Sequence, residues 1–153
     1  MITGKNYIGG ELSSNSSVSF KTFNPLLNIE NSISFYEASD NEIEKSTKLA
    51  NDAFKIFKQV SSLDRSKFLN QISFELELIT DDIVNVYCSE TGLPEARCKA
   101  ELNRTVNQLR SFAKLLTDGN FQEVSIDTSI TERKPVPKPD LRKMLMPIGP
   151  VLV

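Results

Sequence analysis

Two cysteines, Cys88 and Cys98, are the residues of this 153-residue chain that first suggest nucleophilic chemistry. A cysteine attacks as its thiolate, and it needs a neighbouring base, a cation or a helix N-terminus to become one. Cys88 falls late in an apolar helical stretch. Cys98 is flanked by Arg97 and Lys99, whose side chains would leave a helix in diverging directions. Both therefore read as small structural thiols. Ten residues separate them and the chain has no histidine, a combination that fits no zinc spacing. The missing histidine also excludes a His-based triad, a His general base and a His metal ligand. Carboxylates are plentiful, among them Glu42, Glu44, Glu75, Glu77, Asp81, Asp82, Glu90, Glu95 and Glu101. They fall on polar helical faces or in first turns, where they suit the helix dipole, and no nucleophile or oxyanion hole accompanies them. The six glycines (Gly4, Gly9, Gly10, Gly92, Gly119 and Gly149) are too scattered for a G-x-G-x-x-G fingerprint or a P-loop. These residue types and spacings point to no self-contained nucleophilic, phosphate-binding or zinc site.

Composition narrows the partners. With 39% apolar and 25% charged residues, the chain has enough apolar material for a core. Eighteen basic residues against twenty acidic ones leave a net charge of −2, which gives little drive to neutralise phosphates, so nucleic acid is not expected as a partner. The opening residues lack the apolar segment of a secretory signal, and no apolar run approaches the roughly 18 residues of a membrane helix. Two cysteines in such a chain suit a reducing compartment, and the expected location is the cytoplasm, away from any membrane.

The elements that would carry these residues divide the chain into four stretches. Residues 1–38 look β-like. Asn6-Tyr7-Ile8 and Glu11-Leu12 flank Gly9-Gly10, which suits a hairpin turn. Residues 18–23 alternate as a strand, Asn24-Pro25 turns the chain, and residues 33–36 form another short strand. Residues 39–119 read as four helices. Ser39 and Glu42 form a capping box ahead of a face bearing Ile43, Ala50, Ala53, Phe54 and Phe57. A second helix opens at Ser61 or Ser62 with Phe68, Leu69, Ile72, Leu76 and Ile79 on one stripe. Thr80-Asp81-Asp82 could cap a third, with Ile83, Val84, Tyr87 and Cys88 inward and Gly92 to end it. Pro94 suits the first turn of a fourth, which should bury Leu102, Val106, Leu109, Ala113 and Leu116 and stop at Gly119.

Residues 120–146 change character. Pro135, Pro137 and Pro139 block helix and favour an extended arm, locally basic through Arg133, Lys134, Lys138, Arg142 and Lys143. A solvated face is the expected role of those charges. Residues 147–153 are an apolar run, including Ile148 and Val151-Leu152-Val153, that reads as the opening of a buried parallel strand. The expectation is a chain that stops inside a larger α/β domain.

One segment is specific enough to suggest a family. Residues 89–113, from Ser89-Glu-Thr-Gly-Leu-Pro-Glu-Ala-Arg97 through Phe112-Ala113, resemble the N-terminal region of the aldehyde dehydrogenase superfamily. The nearest resemblance is to the NAD(P)-dependent ketoglutarate semialdehyde (2,5-dioxovalerate) dehydrogenases. Gly4-Lys-Asn-Tyr-Ile-Gly-Gly-Glu11 resembles the family's opening hairpin, and Phe23-Asn24-Pro25 its following turn. Residues 41–57 and 63–78 resemble its first two helices, and residues 135–142 with Pro147-Ile-Gly-Pro-Val151 its approach to the first strand of the cofactor domain. The resemblance covers essentially the whole chain. It implies an α/β fold and an enzyme, usually homo-oligomeric, that oxidises a small aldehyde held on a cysteine, passes hydride to NAD or NADP, and hydrolyses the thioester with a glutamate-activated water. The nucleophilic cysteine, the glutamate, the oxyanion-hole asparagine and the cofactor-binding lysine of that family match no position among residues 1–153, and Cys88 and Cys98 do not match its nucleophile. The chain alone is expected to bind no cofactor and to be inactive. The competing expectation is a stand-alone helical interaction module without catalysis.

Overall fold

The computed structural model describes residues 2–153, so Met1 at the head of the opening segment lies outside the described residues. The chain reverses at Gly9-Gly10, pairing β1 (Asn6–Ile8) antiparallel with β2 (Glu11–Ser13). A second antiparallel pair follows, β3 (Ser19–Asn24) with β4 (Ile29–Tyr36). β4 is longer than its apolar pattern suggests, because the turn before it is tight. The Asn24 side-chain oxygen accepts the amides of Leu26 at 3.0 Å and Leu27 at 3.1 Å, which sets Ile29 opposite Asn24. The polar Asn31 stays in the strand by donating across to the Thr22 hydroxyl at 3.0 Å.

Gly4 ties the two pairs together. Its carbonyl accepts the Tyr36 amide at 3.0 Å, and a Cβ placed on Gly4 would lie 1.9 Å from the Ser34 carbonyl oxygen. With φ at +69° as well, the position admits glycine and little else.

Four helices then follow: α1 (Asp40–Phe57), α2 (Ser62–Leu78), α3 (Thr80–Thr91) and α4 (Glu95–Asp118). Ser61 caps α2 by accepting the Asp64 amide at 3.1 Å. Thr80 does not cap α3. Its hydroxyl is used by the preceding helix, donating to the Glu77 carbonyl at 2.7 Å, and Ile79 stands at the cap position between α2 and α3. Gly92 and Gly119 end α3 and α4 in the left-handed conformation, and Pro94 stands one residue before α4 rather than inside it.

The core lies where α2 and α3 meet α4. From α4 it takes Cys98, Val106 and Ala113, each 1–2% exposed, with Leu102, Leu109 and Leu116 half-buried around them. α3 contributes Val84, with Ile83, Tyr87 and Cys88 half-buried. On α2 the buried positions are Ser66 and Ser73, Leu69, Ile72 and Leu76 are half-buried and Phe68 is exposed, as is Ile79 just past the helix end. Small side chains let two helix backbones approach, and the Ser73 hydroxyl remains satisfied by donating to the Asn70 carbonyl at 2.7 Å. α1 stands apart from this core, with Ile43, Ala50, Ala53 and Phe57 exposed and Phe54 half-buried.

The proline-rich stretch folds back on itself. After a 3₁₀ turn at Asn120–Gln122, β5 (Ser125–Asp127) pairs antiparallel with β6 (Leu141–Lys143). Between them Ile130 and Lys138 exchange both backbone hydrogen bonds at 3.0 Å. Prolines at alternate positions exclude helix yet leave the Lys138 amide free to pair, so the expected extended arm becomes a hairpin. Residues 147–153 form no strand, since no neighbouring strand lies beside them to complete a ladder. Instead Pro150, Val151 and Leu152 run beside α1.

Candidate functional site

Among the described residues, Glu42 is the one charged side chain that the fold buries, at 3% exposure. It does more than cap its own helix. One carboxylate oxygen accepts the Ser39 amide and the Ser39 hydroxyl, both at 2.8 Å. The other accepts the Ser13 hydroxyl and, at 3.2 Å, the Asn15 amide, joining the end of β2 to the start of α1. Hydrogen bonds from Ser13 and Ser39, outweighing the effect of burial, lower its pKa from the ordinary 4.5 to about 2. A carboxylate held this firmly as an anion is neither a general acid nor a free base at neutral pH. The Ser39–Glu42 spacing was legible in sequence. The contacts from Ser13 and Asn15 were not, because nothing local marks a partner 27 to 29 residues away.

Cys98 is 2% exposed on the first turns of α4. Burial, followed by the neighbouring Cys88 and Glu95, pushes its thiol pKa up despite Lys99. That is the opposite of what an attacking thiolate needs. Cys88 is half-buried on α3, one turn before Gly92.

The remaining carboxylates are dispersed. Glu77 pairs with Arg110 at 2.6 Å across α2 and α4. Glu95 pairs with Lys99 at 3.2 Å and Glu101 with Arg97 at 2.5 Å, both along α4. Glu75 accepts from Gln71 at 2.6 Å. Asp52, which the sequence did not single out, sits between Lys48 at 2.6 Å and Lys55 at 2.8 Å, and those two ammonium groups hold its pKa at about 2. These are solvated helix-surface pairs. Asp82 and Glu90 rim a shallow groove of about 630 Å³ between residues 2–7 and α3, with Tyr7 and Tyr87 also on its walls. Among the described residues no cluster of three metal-ligating side chains forms, and no helix is long and apolar enough to cross a membrane.

Pyrophosphate would bind most readily at a helix N-terminus. Here each first turn already carries its own acidic residue: Asp40 and Glu42, Asp64, Asp81 and Asp82, and Glu95. Those carboxylates oppose a second anion. Gly92 and Gly119 lie at helix C-terminal ends, where carbonyls rather than amides point outward.

The ordered arrangement of two hairpins, four helices and a returning arm matches known proteins. The profile of the aldehyde dehydrogenase family matches residues 12–138. The chain belongs to the aldehyde dehydrogenase family. Its similarity to curated members extends along nearly the whole sequence. It is 36% identical over 99% of its length to alpha-ketoglutaric semialdehyde dehydrogenase 2 of Azospirillum brasilense. It is 33% identical over 98% of its length to alpha-ketoglutaric semialdehyde dehydrogenase of Acinetobacter baylyi. The chain spans 29% and 28% of the length of those two aldehyde dehydrogenases.

Solved aldehyde dehydrogenases share the fold. An NAD-dependent benzaldehyde dehydrogenase from Corynebacterium glutamicum superposes with a TM-score of 0.76 at 20% identity, covering 86% of this chain and 28% of that one. A betaine aldehyde dehydrogenase from Staphylococcus aureus, solved in complex with NAD+, superposes with a TM-score of 0.74 at 21% identity, covering 84% of this chain and 26% of that one. This is the α/β architecture that the sequence resemblance implied.

Proposed function

We propose that this chain is the N-terminal portion of an enzyme that oxidises an aldehyde, 2-oxoglutarate semialdehyde, to the carboxylic acid with NAD or NADP as hydride acceptor. The supporting observation is the 36% and 33% identity to two alpha-ketoglutaric semialdehyde dehydrogenases along nearly the whole chain. In this reading residues 39–119 are helices that pack beside a cofactor sheet, residues 120–146 join a subunit-bridging sheet, and residues 147–153 lead into the first cofactor-domain strand. Bound NAD(P) would supply the hydride acceptor. This chain would supply no group that touches it, in keeping with helix N-termini that already carry acidic residues. The cysteine nucleophile and the glutamate base lie outside residues 1–153. The whole enzyme is a cytoplasmic homo-oligomer in this reading, and neither nucleic acid nor membrane takes part. Exposed apolar residues on α1, notably Ile43 and Ile56, favour a part of a larger domain over a stand-alone interaction module.

The test is NAD(P)H formation from 2-oxoglutarate semialdehyde. It is measured for the purified chain and for the chain joined to that part of the Azospirillum brasilense enzyme it does not match. The chain alone should give none, and the chimera should turn over. Turnover by the chain alone, or a folded chimera inactive on every aldehyde tried, would overturn the proposal.

A further inference from the structure

We draw no further inference here: the strongest candidate, the apolar face of α1 with the groove of about 740 Å³ between that helix and residues 150–152, carries nothing because nothing in the structure shows what covers it.

Discussion

Glu42 acts as a knot between β2 and α1, and its chemistry makes that role measurable. Its folded pKa of about 2 lies below the ordinary 4.5. A depressed pKa means that the folded state binds the proton less readily than the unfolded one. The stabilisation is therefore fully present above pH 4.5 and is lost as pH falls toward 2. Urea midpoints of the chain should fall through that window, and Glu42→Gln should start lower and change less. Asp52 shifts in the same direction but through exposed lysine pairs. Added salt should screen the Asp52 component and leave the Glu42 component, whose partners are neutral donors. A Glu42→Gln variant with the wild-type midpoint at every pH would show that the knot does not hold in solution. Cys98 gives the complementary residue-scale prediction. Because it is buried and its thiol pKa is raised, a Cys88→Ser variant should not react with Ellman's reagent until denaturant is added. Rapid labelling of the folded variant would refute the inert-thiol assignment.

At the scale of elements, α2 packs chiefly against α4, and the two side chains that α2 buries are serines. Ser73 is 1% exposed, so Ser73→Leu forces extra volume between two helices already in contact. Overpacking of this kind costs about 1–3 kcal/mol. Phe74, the next residue, is 51% exposed, and Phe74→Leu should change stability by no more than about 0.5 kcal/mol. Equal effects in chemical denaturation would mean that α2 does not meet α4 through its serines.

The same helix shows what sequence reasoning captured. The helical extents and the α4 stripe through Val106 and Ala113 were legible, since apolar period and glycine stops are local signals. The Ser66–Ser73 seam was not, because a small polar residue looks identical in sequence whether it faces water or a closely approaching helix. The arm was half legible. Its prolines excluded helix, but the pairing of Ile130 with Lys138 depends on which backbone amides remain free once the chain reverses. For the site, the sequence correctly isolated the Ser39–Glu42 box and could not anticipate its partners in the first hairpin. The family was legible because its resemblance runs along contiguous sequence, and the family profile matches residues 12–138.

For the molecule as a whole, the distribution of apolar surface sets the decisive experiment. Val106, Cys98 and Ala113 are almost fully enclosed, yet Ile43 is 53%, Ile56 74%, Ile148 92% and Leu152 98% exposed. Monomeric soluble proteins rarely leave this much apolar surface open, so the exposed side chains of α1 and of residues 147–153 should attract whatever apolar surface they meet. The isolated chain should enhance the fluorescence of a hydrophobic dye and self-associate as its concentration rises. Ile43→Lys combined with Ile56→Lys should weaken both effects. It should leave the thermal midpoint nearly unchanged, because neither side chain belongs to the α2–α3–α4 core. The chimera used to test activity offers a second readout. If the remainder of an aldehyde dehydrogenase covers α1, dye binding should fall in the chimera even if its catalysis is impaired, which separates docking from chemistry. A monodisperse, cooperatively melting chain without dye binding would show that it covers its own apolar faces, and the stand-alone module would then be the better reading.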